Sequence, residues 1–111
     1  MSNGTEQENL DAPPPISAEQ REKILAIREG TRQKNWTAIG QLRTEMFALR
    51  RLYFADRVDP DAIVEQQRKV DELRRALLKS RLESRNQVEA LLTPEQRTQF
   101  REARARRMRV G

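Results

Sequence analysis

Apolar residues in the middle of this chain recur every three or four positions, which is the period of one side of an α-helix. The clearest run covers residues 35–57, where the repeating side chains are Trp36, Ile39, Leu42, Met46, Leu49 and Tyr53. No stretch alternates apolar and polar residues as a half-buried strand does, and no Asn-Gly pair lies between two such stretches as in a hairpin. The sequence therefore predicts an all-α protein, and we expect this run, Trp36 included, to pack in its core.

Start and stop signals divide the chain into four predicted helices. Ser17 and Gln20 have the spacing of a capping box, which favours a first helix that starts at Ser17 and stops near Gly30. The apolar run described above forms the second helix. Thr93 and Gln96 repeat the capping-box spacing and start the fourth helix, which continues into an arginine-rich end.

The third predicted helix begins after Asp59, a good N-cap, with Pro60 at the first helical position, and extends to about residue 91. It would be about 48 Å long at 1.5 Å per residue, too long for its short predicted neighbours to cover. Ile63, Val70 and Leu77 repeat at intervals of seven, as in a coiled-coil seam. These features predict a homodimer formed through this helix.

Charge divides the chain into a tether and one domain. Residues 1–15 contain Glu6, Glu8 and Asp11, no basic residue and three successive prolines, which predicts a disordered acidic tether. Residues 16–111 contain all 22 basic residues and predict one helical domain with a frayed, arginine-rich end. Because 35% of the chain is charged and 36% hydrophobic, its core is thin, and a second copy would bury more apolar surface.

The chain contains neither cysteine nor histidine, which excludes several classes of function. Disulfide scaffolds, zinc fingers, iron–sulfur sites and cysteine nucleophiles are impossible, and the commonest general base is missing. We expect no enzyme activity, no cofactor and no metal site, since helix capping and the helix dipole account for Asp56, Asp59 and Asp61. No run of apolar residues reaches the length of about 18 that a membrane span requires.

The candidate binding residues lie on the second predicted helix. Arg43, Phe47, Arg50 and Phe54 are spaced four, three and four apart, so cations and aromatic rings alternate along one side, with Arg51 beside them. Unfolding proteins expose apolar groups and often carry net negative charge. Arginine stacks on aromatic rings and pairs with carboxylates, so this side of the helix suits the binding of partly unfolded proteins. The alternative is that both phenylalanines are buried in a dimer interface or under the first helix.

The C-terminal arginines allow a second interpretation of the basic charge, and they are Arg97, Arg101, Arg104, Arg106, Arg107 and Arg109. Clustered positive charge suits phosphate neutralisation. However, the sequence contains no helix-turn-helix or RNA-stacking motif, and arginines near the C-terminus of a helix favourably oppose its dipole. We therefore expect a solvated end, or a patch that meets acidic clients or anionic lipid, rather than a nucleic-acid site.

The two capping boxes resemble the paired motifs of a known family. Leu92, Thr93 and Gln96 form a sequence like the second LTxxQ box of the Spy/CpxP family, and Phe100 follows it. The corresponding first box consists of Ile16, Ser17 and Gln20, with Ile for Leu and Ser for Thr. The resemblance covers roughly residues 16–102.

This resemblance implies a four-helix hooked hairpin that forms an elongated, cradle-like antiparallel dimer in the periplasm of a Gram-negative cell. It also implies one of three functions: an ATP-independent chaperone for partly unfolded proteins, a regulator of a membrane stress-sensor kinase, or a metal-responsive protein. The third uses histidines that this chain lacks. We expect a chaperone or envelope-stress adaptor. Two alternatives stay open, namely a regulatory binding module of a membrane stress-sensor kinase and a divergent heavy-metal-responsive or resistance protein. Anchoring to the membrane stays open as well.

Overall fold

The computed structural model describes residues 15–110, and within that range the chain folds into three helices with no strand. They are α1 at Ala18–Tyr53, α2 at Pro60–Glu89 and α3 at Pro94–Val110. The prediction of an all-α protein is confirmed. The proposed tether lies outside the described residues except for Pro15.

The first two predicted helices are one continuous helix, so the prediction of four helices is wrong. α1 runs for 36 residues straight through Gly30 and Gly40, neither of which has a positive φ. A glycine inside a helix costs only about 1 kcal/mol relative to alanine, too little to end a helix that is supported by packing. The other two predicted starts are confirmed, since Asp59 caps α2 and α3 begins at Pro94.

The two long helices run antiparallel. Ser80 Oγ on α2 donates a hydrogen bond to Asn35 Oδ1 on α1 at 2.9 Å. Further along, Gln66 Nε2 donates to the carbonyl oxygen of Glu45 at 2.9 Å. As residue numbers rise along one helix, their partners fall along the other, so the short connection after Tyr53 reverses the chain.

α1 covers the heptad positions of α2 within the same chain. Ile63 and Val70 are buried within this single chain, and Val70 is completely inaccessible to solvent. The prediction that the heptad positions form a seam for a second copy is therefore wrong, because Ile63 and Val70 are already buried within one chain. The physical reason is the antiparallel register: Gln66, which lies between Ile63 and Val70, bonds to Glu45, so the second half of α1 covers these two positions.

Trp36 lies outside the core, contrary to the prediction, and 70% of its side chain is exposed. Ile39, Leu42 and Leu49 are half-buried, as expected for positions that face α2. Leu42 follows Trp36 by six residues, which is about one and two-thirds turns of an α-helix rather than a whole number of turns. The two side chains therefore point about 120° apart around the helix. Tyr53, at the last residue of α1, is exposed as well.

The described part of the molecule is elongated, with extents of 64 × 29 × 19 Å. Its radius of gyration is 19.8 Å, compared with about 13 Å for a compact domain of 100 residues. α3 packs at the end where α1 begins and α2 ends, and Phe100 contacts a cluster formed by Ile24, Val88 and Leu92. None of the described helices combines the length and the apolar character that crossing a bilayer would require.

Candidate functional site

Both predicted capping boxes are formed. Ser17 Oγ accepts a hydrogen bond from the Gln20 amide at 3.0 Å, and Gln20 Oε1 accepts one from the Ser17 amide at 2.9 Å. The second box repeats this arrangement. The backbone amide of Gln96 donates a hydrogen bond to Thr93 Oγ1 at 3.2 Å, and the backbone amide of Thr93 donates one to Gln96 Oε1 at 2.9 Å. Each glutamine therefore fixes the first turn of its own helix.

The same glutamines also join the two boxes to each other. Gln20 Nε2 donates to Gln96 Oε1 at 2.8 Å, and Gln96 Nε2 donates to Gln20 Oε1 at 3.2 Å. Gln20 further donates to the carbonyl of Leu91, and Gln96 to the carbonyl of Pro15. We call this arrangement the box junction. It ties the start of α1 to the turn between α2 and α3, across 76 residues of sequence.

The first residue of each box fills the core beneath the box junction. Leu92 is buried with Ile24 and Val88, and Ile16 packs against that cluster. All six predicted motif residues therefore support the fold at one end of the molecule. The sequence predicts each box as a separate cap, because the spacing of a box is local, whereas the contact between the two glutamines depends on the tertiary fold.

Glu89 anchors α3 beside the box junction. Its carboxylate accepts a hydrogen bond from Arg104 at 2.7 Å and also lies 3.4 Å from Arg85 and 3.7 Å from Arg101. The hydrogen bond from Arg104 is the main reason that the pKa of Glu89 is lowered, and burial opposes the shift. Two of the C-terminal arginines considered above thus hold α3 against α2.

The five predicted binding residues lie on or directly after α1, and all are exposed in this chain. The exposed fraction is 58% for Phe47 and 81% for Phe54. Arg43, Arg50 and Arg51 are also exposed. Phe54 caps the end of α1, since its amide donates to the Arg50 carbonyl at 3.2 Å. Neither phenylalanine is buried under another part of the described chain.

Trp36 extends this surface, although its place in the apolar run predicted a core position. It precedes Phe47 by eleven residues, or about three helical turns, so both rings lie on the same side of α1. Phe54 follows Phe47 by seven residues and shares that side. We call Trp36, Phe47 and Phe54 the aromatic stripe, and Arg43 and Arg50 alternate with its rings.

The described residues offer little to a metal ion. Within residues 15–110, no three acidic side chains come close enough together to hold one. Asp59 accepts a hydrogen bond from the Ala62 amide at 3.2 Å, as a helix cap does. Phosphate loops, cysteines and histidines are missing from the sequence itself.

This chain is an elongated antiparallel helix pair whose two capping boxes are joined. These features are those of an all-α protein built on paired boxes of the LTxxQ type. A family model described as "LTXXQ motif family protein" matches residues 7–104. The chain therefore belongs to the LTXXQ motif family, the Spy/CpxP type, whose members are typically periplasmic. Neither the curated proteins nor the solved structures yielded a match to this chain.

Proposed function

We propose that this protein is a periplasmic, ATP-independent chaperone or envelope-stress adaptor that holds partly unfolded proteins on the aromatic stripe. The observation that carries the proposal is the exposure of three aromatic side chains in a row along one side of α1. Family membership supports the same function. The proposed binding residues remain Arg43, Phe47, Arg50, Arg51 and Phe54, and Trp36 joins them.

The chemistry of the stripe suits clients of many sequences. Large exposed apolar groups that lie together commonly mark sites of protein interaction. Arg43 and Arg50 can stack on a client's aromatic rings or pair with its carboxylates, while the rings of the stripe take its apolar side chains. Such contacts need no defined client geometry, and they need no nucleotide.

We also propose that the working form is an antiparallel homodimer. Val64, Leu78 and Leu82 on α2 are exposed, and intervals of 14 and 4 residues place them on one side of that helix. A second copy would cover these side chains and leave the aromatic stripe of α1 accessible. The interface would thus use α2, as predicted, although not through the heptad positions.

The function is tested by aggregation of a chemically denatured model protein, followed by light scattering without nucleotide. We expect the wild type to suppress aggregation at substoichiometric amounts. Replacing Phe47 and Phe54 together by alanine should weaken suppression severalfold, because two of the three rings are lost. The matched control is Val58→Ala with Met108→Ala, which also removes two exposed apolar side chains.

Circular dichroism should show that both double variants keep the helical fold. If the wild type does not suppress aggregation, the chaperone proposal is wrong. If the phenylalanine variant and the control lose activity equally, the aromatic stripe is not the binding surface.

A further inference from the structure

A groove of about 980 Å³ opens beside the box junction, away from the aromatic stripe. It lies where the start of α1, the end of α2 and α3 come together. Its larger apolar lining residues are Ile16, Ile24, Leu25, Val88, Leu92 and Phe100. Its volume falls in the range of about 300–1,000 Å³ that is typical of sites for small molecules.

The charged lining of this groove is strongly unbalanced. Within residues 15–110, the groove is lined by one acidic residue, Glu89, and by six arginines. The arginines are Arg21, Arg28, Arg81, Arg85, Arg104 and Arg107. Glu89 forms ion pairs with Arg85 and Arg104. The other four groove arginines have no carboxylate within 4.0 Å in the described residues. The groove therefore combines an apolar surface with guanidinium groups that have no anionic partner among residues 15–110.

This combination selects a ligand with two parts. An inorganic anion would use the guanidinium groups and leave the apolar lining in contact with water, whereas a hydrocarbon would leave the cations unpaired. Glu89 shows that guanidinium groups at this end of the molecule can hold a carboxylate, since Arg104 donates to it at 2.7 Å. Arginine also binds carboxylates through two parallel hydrogen bonds.

We propose that the groove binds a fatty acid, with its acyl chain on the apolar lining and its carboxylate between α1 and α2. The antiparallel register places Arg28 of α1 opposite the stretch of α2 from Arg81 to Arg85. Those side chains would hold the carboxylate, while the chain runs toward Phe100. This site shares no residue with the aromatic stripe, so it is independent of the function proposed above.

Isothermal titration calorimetry of the full chain tests the proposal, with hexanoate, octanoate and decanoate below their critical micelle concentrations. We expect one fatty acid per chain. Affinity should rise by about 15-fold for each two added CH₂ groups, until the chain fills the groove. Decanol has the alkyl chain but no carboxylate, and acetate has the carboxylate but no long alkyl chain. Both should bind at least about tenfold more weakly than decanoate.

Replacing both Arg28 and Arg81 by glutamine should weaken decanoate binding by about tenfold or more. Both side chains are exposed, so the fold should persist. The control is Arg57→Gln with Arg75→Gln, which removes the same charge outside the groove and should change affinity less than twofold. Aggregation suppression should be the same for both double variants.

Three results would overturn the fatty-acid site. They are the absence of decanoate binding, equal affinity for decanol and decanoate, and equal weakening by the two arginine pairs. The last result would mean that the net charge of the protein, rather than the groove, attracts the anion. None of these results bears on the aggregation assay, so the two proposals can fail separately.

Discussion

Gln20 and Gln96 each act both within a helix and between helices. As box residues they satisfy the amides of Ser17 and Thr93, which have no partner inside a helix. Their remaining amide groups bond to each other, half-buried over the apolar cluster. A substitution at either position therefore removes a cap and a long-range contact together.

At the residue scale, we expect Gln96→Ala to lower the free energy of unfolding by about 1–3 kcal/mol, measured by urea denaturation. Gln99→Ala, at an exposed position of the same helix, should change it by less than about 0.5 kcal/mol. The double variant of Gln20 and Gln96 should be less destabilised than the sum of the single variants, because they share hydrogen bonds. Strict additivity would show that the boxes are energetically separate.

α1 shows that a local stop signal can be overridden within a helix. Gly30 has open space where a β-carbon would lie, and its φ is that of an ordinary helix. Thr31 Oγ1 donates to the Ile27 carbonyl at 3.0 Å, so regular helical geometry continues past the glycine. Because α1 is continuous, its first part lies along the end of α2, where Ile24 packs with Val88.

At the element scale, Gly30→Ala should stabilise the protein by about 0.5–1 kcal/mol, since alanine loses less backbone entropy in a helix and meets no steric obstacle. Thermal unfolding should show an increase of several degrees in Tm. Ala26→Gly, at an exposed position one turn earlier, should have the opposite effect. A decrease in Tm for Gly30→Ala would indicate that α1 ends at Gly30 in solution.

The molecule as a whole is long and thin, which leaves apolar side chains exposed on both long helices. Those of α1 are large, aromatic and interspersed with arginines. Those of α2 are aliphatic and lie on one side of the helix, as in the interface between two identical subunits. The two helices therefore suit different partners.

At the scale of the whole molecule, we expect sedimentation equilibrium to give about twice the monomer mass of 13.0 kDa. Leu78→Gln with Leu82→Gln should shift the protein toward monomer, because it places amides in the proposed interface. Met108→Gln, at an exposed position on α3, should leave the mass unchanged. A wild type that remains monomeric at high concentration would contradict the proposed dimer.

The sequence by itself determined the helical class, the capping boxes and the alternation of arginine and phenylalanine on α1. These features depend on residues within one or two helical turns of each other, such as Ser17 with Gln20 and Phe47 with Phe54. Local hydrogen bonds and helical periodicity fix them whatever the rest of the chain does. The family resemblance rested on the same local boxes.

Only the tertiary structure decided that α1 is continuous, that Trp36 is exposed, and that the two boxes meet. Each depends on what the rest of the chain covers. Packing against α2 outweighs the small cost of Gly30, while Trp36 points away from that contact. The bonds between Gln20 and Gln96, and the groove beside them, exist because an antiparallel turn brings together segments that are 76 residues apart.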